Sequence, residues 1–303
     1  MLFRSAAACE RVAEALRVVR ISPEFSQGGD QNVQGETQKG MDVVANDIFT
    51  DALRGCVAAM ASEEEESYLP GDHPEFRYEI AFDPLDGSSN LDSNLPTGSI
   101  FSVLRHSPTD APFQGSGRAK VVAAGYALYS SSTELVLSLA SGTTAMGFTL
   151  DPTHGRFLLS RRSMECPPSG PYYSLNDARE PDWPEGLRRW VNDAKRGQTP
   201  SGTKFSSRYV CALVADVHRT LLHGGWAGNP RPHLRLLYEA APLAHISEAC
   251  GGRATDGVRD LLDIELTGLH DRTPVFIGGR ADVDELLAYG DVQQQATTYK
   301  TPV

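Results

Sequence analysis

Cysteine is scarce in this chain of 303 residues, and the five cysteines are an odd number, far apart and without a CxxC pair. This spacing argues against a disulfide framework or a zinc knuckle and suits a reducing compartment. No apolar run approaches the roughly 20 residues that a membrane span needs. The N-terminus reads as an amphipathic helix instead of a signal peptide. We therefore expect a cytoplasmic protein, or a plastid protein if a transit sequence has been removed.

Basic charge is also scarce. The chain has 28 Lys and Arg residues and 39 Asp and Glu residues, which gives a formal net charge of −11. Binding to nucleic acid needs a basic face, so a nucleic-acid partner is not expected. The hydrophobic share of 40% and the charged share of 22% indicate a globular chain. The length suggests two domains of about 150 residues, and the Pro/Gly cluster at 167–171 predicts their boundary, with domains at 1–170 and 171–303.

Hydrophobic spacing predicts an α+β chain with mixed or antiparallel sheets. Helices are predicted over Met1–Leu16, Asp42–Met60, Leu187–Ala194, Val214–Leu222, Leu243–Cys250 and Asp282–Tyr289. Strands are predicted over Tyr78–Phe82, Ile100–Leu104, Lys120–Tyr129, Glu134–Leu139, Phe157–Ser160 and Val275–Ile277.

One segment carries a specific chemical signature: Asp83–Asn90 reads DPLDGSSN and directly follows a predicted strand. Two carboxylates at a strand end can converge on one hard cation, and Mg²⁺ prefers oxygen ligands and shares substrate phosphate. The backbone N–H groups of Gly87, Ser88 and Ser89 can form an anion-binding nest. Metal carboxylates beside a phosphate cradle are the parts of metal-assisted phosphoryl transfer. A bare DxxDG is also compatible with a simple capped turn, but the full string favours the catalytic interpretation.

The segment resembles the signature of the sugar bisphosphatases, the family of fructose-1,6-bisphosphatases and sedoheptulose-1,7-bisphosphatases. Five further segments resemble the family, in the family's order: Asp42–Asp47, Ser62–Glu64, Arg208–Val210, Ala215–Arg219 and Leu234–Glu239. The resemblance implies a layered αβαβα sugar-phosphatase fold, with mixed sheets packed between helix layers in two subdomains. It assigns metal binding and catalysis to the first domain, and the sugar and a second phosphate to the other.

The resemblance also implies two or three Mg²⁺ ions per active site, for which Mn²⁺ can substitute. It places metal ligands at Glu63, Asp83, Leu85 (through its carbonyl), Asp86, Glu239 and Glu36. Glu36 stands where the family usually has Asp. Glu64 and Asp42 would orient and deprotonate the attacking water, a task that suits positioned carboxylates.

Contacts to the sugar bisphosphate follow from the same resemblance. They are expected at Gly87, Ser88, Ser89, Asn176, Arg179, Arg208, Tyr209, Asn229, His233 and Arg235. Arg208 is expected to reach in from a neighbouring subunit, which predicts a homotetramer or homodimer. Three positions depart from the fructose-bisphosphatase pattern: Asn229 replaces a phosphate-binding Tyr, His233 replaces a Lys, and Arg179 replaces a Tyr.

We expect Mg²⁺-dependent hydrolysis of the 1-phosphate of sedoheptulose 1,7-bisphosphate, to sedoheptulose 7-phosphate and phosphate. Asn229 and the segment Glu239–Leu243 resemble the sedoheptulose enzymes, whereas Val214–Arg219 is closer to the fructose enzymes. Fructose-1,6-bisphosphatase activity, alone or beside the first, is the alternative. A non-catalytic sugar-phosphate binder is the alternative of another class, and the complete carboxylate set opposes it. An inositol-type monophosphatase is opposed by the second-phosphate motif at Arg208–Tyr209.

Overall fold

The computed structural model describes residues 1–22, 40–107, 111–140 and 144–298. Its helices are α1 Leu2–Val18, α2 Gly40–Leu53, α3 Gly117–Lys120, α4 Glu185–Arg196, α5 Leu213–His223, α6 Ala241–Ala249 and α7 Arg280–Ala288. Its strands are β1 Ala59–Ser62, β2 Leu69–Pro70, β3 Tyr78–Asp86, β4 Thr97–Arg105, β5 Gly115–Ser116, β6 Val121–Tyr129, β7 Thr133–Leu139, β8 Ala145–Asp151, β9 Arg156–Met164, β10 Tyr172–Ser174, β11 Ser206–Ser207, β12 Trp226–Arg235, β13 Arg253–Thr255, β14 Glu265–Leu266 and β15 Arg272–Gly278.

An eight-stranded sheet forms the first half of the chain, in the order β2-β1-β3-β4-β6-β7-β8-β9. Only the β1–β3 pair is parallel among the paired strands of this sheet that the structure describes. Side chains alternate between two cores, as strand geometry requires. Phe82 and Phe101 lie in the core beneath α1 and α2, whereas Ala81 and Ile100 face the opposite core.

Helices α1 and α2 cover the outer face of this sheet. The buried residues of α1 recur at helical spacing, which gives the helix one apolar stripe; they are Ser5, Ala8, Cys9, Val12 and Ala13. Phe49 of α2 stacks on Phe82 of β3 with ring centroids 5.2 Å apart. This packing holds α2 against β3.

Helices α5 and α6 form the middle layer, between the eight-stranded sheet and a five-stranded sheet of order β11-β10-β12-β15-β13. The outer face of the second sheet packs Trp226 and Phe276 against α4 and α7. The layers therefore follow the order helix, sheet, helix, sheet, helix. The predicted αβαβα arrangement with mixed sheets is confirmed.

The predicted secondary structure differs from the observed one at several points. The helix expected over Asp42–Met60 ends at Leu53, and a 3₁₀ turn and extended Val57 lead into strand β1. All four residues of β1 are buried, so burial within the sheet overrides the helical spacing of the sequence. Strands β8 and β12 were not predicted, and a π-helical turn at Leu236–Ala240 precedes α6.

Within the described residues, no helix has both the length and the apolar character needed to cross a bilayer.

Gly98 of β4 allows α5 to approach the first sheet closely. A Cβ added at Gly98 would lie 2.6 Å from the side chain of Val214 and 2.8 Å from the carbonyl oxygen of Ala127. Since neither the helix nor the neighbouring strand can move freely, the contact demands a residue without a side chain.

We expect Gly98→Ala to lower the free energy of unfolding by about 1–3 kcal/mol, because it overpacks this contact. Gly55→Ala is the matched control: its added Cβ would meet only the carboxylate of Asp72, at an ordinary 3.7 Å. Urea unfolding of both variants measures the difference. Equal midpoints for the two variants would contradict the proposed role of Gly98.

Candidate active site

The carboxylates of Asp83 and Asp86 lie at the end of β3, where the strand bulges. Asp83 pairs with Ile100 and Asp86 with Gly98, so β3 carries one more residue here than β4. Residues three apart in a regular strand point to opposite faces, and the extra residue of a bulge removes that difference. The side chain of Asp83 also accepts a hydrogen bond from the backbone N–H of Leu85, at 2.9 Å. The two carboxylates therefore converge.

Two elements of the second half of the chain complete the cluster. Both oxygens of Asp86 accept hydrogen bonds from the first turn of α5, from the N–H of Leu213 at 3.2 Å and of Val214 at 2.8 Å. Glu239 lies on the π-helical turn and accepts a 2.5 Å hydrogen bond from the N–H of Arg235. Asp83, Asp86 and Glu239 each offer an oxygen within 4.8 Å of the others.

Arg235 is the cation that faces this cluster. Its guanidinium lies 2.9 Å from a carboxylate oxygen of Glu63 and 3.8 Å from one of Glu239. Arg235, Glu63, Asp83, Asp86 and Glu239 are all buried. Four carboxylates are thus buried close together, and the guanidinium pairs with two of them, Glu63 and Glu239, in a setting where isolated charges are unfavourable.

The pKa values of the carboxylates report this crowding. Burial, followed by repulsion from Glu63, raises the pKa of Asp83 well above its usual range. Burial also raises the pKa of Asp86 to about 7, although two backbone hydrogen bonds act to lower it. Burial raises the pKa of Glu239 to about 8. Burial and like charge therefore favour the protonated acids when no further cation is present.

A hard divalent cation fits this donor set. The cluster offers carboxylate oxygens only, which are the ligands that Mg²⁺ prefers. Its deficit of positive charge is one that a divalent ion would correct. The residues that could hold it are those expected from the sequence, Glu63, Asp83, Asp86 and Glu239, with the Leu85 carbonyl beside them.

The acidic loop, residues 63–66, is held against α2. Ser62 donates a 2.7 Å hydrogen bond to the side chain of Asn46, whose amide donates to Glu65 at 2.8 Å. The hydroxyl of Ser62 also accepts from the N–H of Glu64, at 3.3 Å. These contacts fix the start of the loop next to Asp42, which is buried in the first turn of α2.

Gly87 turns the chain from β3 into a 3₁₀ helix over Ser88–Ser93, and it does so with φ at 73°. A Cβ here would lie 2.8 Å from the Cβ of Ala212. Glycine is therefore required twice, by the left-handed backbone and by the close approach of the chain before α5.

One cleft of about 540 Å³ brings most of the expected residues together. Fourteen of the expected positions line it: Asp42, Glu63, Glu64, Asp83, Leu85, Asp86, Gly87, Ser88, Ser89, Tyr209, Asn229, His233, Arg235 and Glu239. The carboxylate cluster and the glycine-serine turn thus open onto the same space.

A smaller cavity adjoins this cleft and contains the other expected contacts of the second phosphate. Asn176 and Arg179 line it together with Tyr209 and Asn229, which also line the main cleft. Arg179 thus adds a cation to the wall of the smaller cavity.

Among the described residues, Arg208 is an expected contact that lines neither cavity. Its guanidinium lies 5.5 Å from the centre of the Tyr172 ring, and the residue is exposed. The expected reach of Arg208 into another subunit stays a prediction. Glu36 lies outside the described residues.

Sequence reasoning missed Asp216 and Cys211 as residues of the cleft wall. Asp216 pairs with Arg219 at 3.0 Å and accepts from the N–H of Val210, so it anchors the loop that carries Tyr209. Its position inside the family-like segment Ala215–Arg219 was an available signal. Cys211 has φ at 63° and accepts a hydrogen bond from the Tyr209 hydroxyl at 3.2 Å.

The layered fold, the buried carboxylate cluster and the two joined cavities define a phosphatase of sugar phosphates. A family model described as the N-terminal domain of fructose-1,6-bisphosphatase matches residues 1–162, and one described as its C-terminal domain matches residues 166–291.

Named relatives agree with these models. The chloroplastic fructose-1,6-bisphosphatase of Brassica napus is 39% identical over 312 residues, which cover 94% of this chain and 75% of that protein. The class 1 fructose-1,6-bisphosphatase of Trichormus variabilis is 42% identical over 276 residues, covering 86% and 77%. The crystal structure of Leishmania major fructose-1,6-bisphosphatase in holo form is 34% identical, covers 96% of this chain and 93% of its own, and superposes with a TM-score of 0.89.

The chain belongs to the fructose-1,6-bisphosphatase family. It is a sugar bisphosphatase, a phosphoric monoester hydrolase, and its family is metal-dependent.

The raised pKa values predict how stability depends on pH without metal. The folded state holds protons on Asp86 and Glu239 that the unfolded chain releases from about pH 4, so stability falls as pH rises. This loss of stability should be complete once the pH exceeds the pKa values of both groups, about 7 for Asp86 and about 8 for Glu239. We expect the melting temperature in EDTA to decrease from pH 5 to 8, and saturating Mg²⁺ to remove most of the decrease.

Melting curves at matched pH values, with EDTA or with Mg²⁺, provide the measurement. A decrease of equal size in both series would contradict the metal-site assignment, because the cation would then leave the buried carboxylates unaffected.

Proposed function

We propose that this enzyme hydrolyses the 1-phosphate of a ketose bisphosphate with Mg²⁺, and that fructose 1,6-bisphosphate is a substrate. The observation that carries the proposal is the buried carboxylate cluster in the main cleft, next to a smaller cavity that Arg179 lines. The cluster suits a divalent cation and the phosphate it shares, and Arg179 suits a second phosphate. The names of the relatives support the fructose substrate.

In this proposal Glu63, Asp83, Asp86, Glu239 and the Leu85 carbonyl hold the cations. Mg²⁺, when bound, supplies positive charge that polarises the phosphoryl oxygens and activates water. Two or three ions, with Mn²⁺ as a substitute, remain the number expected from the sequence.

Glu64 and Asp42 are proposed to orient the attacking water and accept its proton. Both line the cleft beside the carboxylate cluster, which is the position that a general base needs. The bonds of Asn46 and Ser62 fix the backbone that carries Glu64. Gly87, Ser88 and Ser89 line the same end of the cleft and are proposed to bind the 1-phosphate through backbone N–H groups.

The second phosphate is proposed to bind Asn176, Arg179 and Tyr209, which lie together in the smaller cavity. His233 and Arg235 line the main cleft and are proposed to face the sugar. The pairing of Arg235 with Glu63 and Glu239 gives it a further role, since it supplies positive charge to the cluster.

Asp86→Asn tests the metal assignment and keeps one acceptor for the first turn of α5. An amide keeps one oxygen for the N–H of Val214, loses the acceptor for the N–H of Leu213 and removes the negative charge. We expect Mg²⁺-dependent phosphate release to fall by about 100-fold or more, with the circular dichroism spectrum unchanged. Asp47→Asn, an exposed residue of α2 with the same change in charge, is the control. Full activity in Asp86→Asn would refute the metal assignment.

Sedoheptulose 1,7-bisphosphate is the second candidate substrate, and Asn229 is the observation that favours it. Asn229 lines both the main cleft and the smaller cavity, and its side-chain oxygen accepts from the N–H of Arg231 at 3.1 Å. A residue smaller than tyrosine at this junction leaves room for a sugar one carbon longer.

Asn229→Tyr should therefore lower kcat/KM for sedoheptulose 1,7-bisphosphate relative to fructose 1,6-bisphosphate. We expect the ratio of the two values to change by about 10-fold, the range that differences of one carbon produce in a shaped pocket. Side-by-side kinetics of both substrates on both proteins measure it. An unchanged ratio would exclude Asn229 as the residue that selects sugar length.

The assembly and location complete the proposal. The exposed guanidinium of Arg208 supports a role in the second-phosphate site of a neighbouring protomer, which requires at least a homodimer or a homotetramer. The cytoplasm is the proposed location, and a plastid is the alternative, in agreement with the chloroplastic name of the Brassica napus relative.

A further inference from the structure

His270 connects the two segments that carry metal-site carboxylates. Its Nδ1 lies 2.8 Å from the hydroxyl of Tyr238, the residue that precedes Glu239. Its Nε2 lies 3.0 Å from the backbone oxygen of Glu65, in the acidic loop that carries Glu63. One imidazole ring therefore spans the gap between these two parts of the chain.

The partners of the ring define its protonation. A backbone carbonyl oxygen can only accept a hydrogen bond, so Nε2 must carry the proton that it donates to Glu65. The other nitrogen then accepts from the hydroxyl of Tyr238, which is fully buried. The pKa of His270 is lowered, mainly by burial, in agreement with a neutral ring.

The turn that presents His270 is itself fixed. The carboxylate of Asp271 accepts hydrogen bonds from the N–H and the hydroxyl of Thr267 and from the N–H of Gly268. The carbonyl of Asp271 accepts from the N–H of Leu236 at 2.7 Å, at the start of the π-helical turn. The turn is thus tied to the segment of Glu239 at two points.

We propose that His270 is a positioning residue of the metal centre, which holds the acidic loop at a set distance from the segment of Glu239. Asn46 fixes the same loop from the side of α2, so the loop is held from both halves of the chain. A cation that binds Glu63 and Glu239 together needs their oxygens placed to within tenths of an ångström. Residues that orient the ligands of a metal therefore contribute strongly to its affinity. The proposal rests on the function proposed above.

Two amide substitutions separate the two hydrogen bonds of the ring. The amide of Gln reaches the position of Nε2, so His270→Gln keeps a donor for the Glu65 carbonyl. The amide of Asn reaches only the position of Nδ1, so His270→Asn keeps the partner of Tyr238 and loses the bond to the acidic loop. Both variants remove the same ring contacts, which makes each the control of the other.

Calorimetric titration of Mg²⁺ into the full-length protein without sugar provides the direct test. We expect His270→Asn to weaken Mg²⁺ binding by about 10-fold or more, and His270→Gln to remain within about threefold of the parent protein. The rise in melting temperature on adding Mg²⁺ should shrink in His270→Asn and be retained in His270→Gln, since that rise follows from affinity.

Equal Mg²⁺ affinity in the parent and in His270→Asn would overturn the proposal. An equal loss in both variants would also overturn it, because the ring contacts and not the bond to the acidic loop would then matter. The binding assay needs no turnover, so a failure of this inference is distinguishable from a failure of the proposed activity, which would appear as absent phosphate release by the parent protein.

Discussion

The burial of four carboxylates with the guanidinium of Arg235 beside two of them is the constraint on which the structure depends. Glu63, Asp83, Asp86 and Glu239 are almost removed from water, and Arg235 is the cation that pairs with two of them. Such a cluster is unfavourable for folding by itself, because each buried charge loses its hydration. Its retention at the base of a cleft makes sense when a divalent cation binds there. The region around these carboxylates is therefore less stable than hydrophobic packing alone would make it, but it forms a site that attracts metal.

The fold supports that cluster from several directions. The bulge of β3 turns Asp83 and Asp86 to one side, the first turn of α5 binds Asp86, and the π-helical turn presents Glu239. Gly98 lets α5 approach the sheet, and the outer helix α2 supplies Asp42. The carboxylates come from both halves of the chain, so the site forms only when the middle helix layer packs against the first sheet. Stability and catalysis thus depend on the same contacts.

Much of this arrangement could be predicted from the sequence. The string Asp83–Asn90 has its own chemistry, and the order of family-like segments led to Glu63, Glu64 and Glu239, which composition alone would class as solvated acids. The tertiary pairing could not be predicted from the sequence. Strand β1 has helical spacing but lies buried in the sheet. No local pattern indicates that Arg235 pairs with Glu63. His270 contacts Tyr238 and Glu65, which are 32 and 205 residues away in sequence. Its place between them emerges only when the layers are assembled, because hydrogen bonds between distant segments leave no periodic pattern.

Anomalous X-ray scattering from crystals soaked in Mn²⁺ would locate the cation without reference to activity. We expect a strong anomalous peak between Asp83, Asp86 and Glu239, within coordination distance of their carboxylate oxygens, and a further peak next to Glu63. Mn²⁺ bound elsewhere, with none between these carboxylates, would show that the cluster is not a metal site.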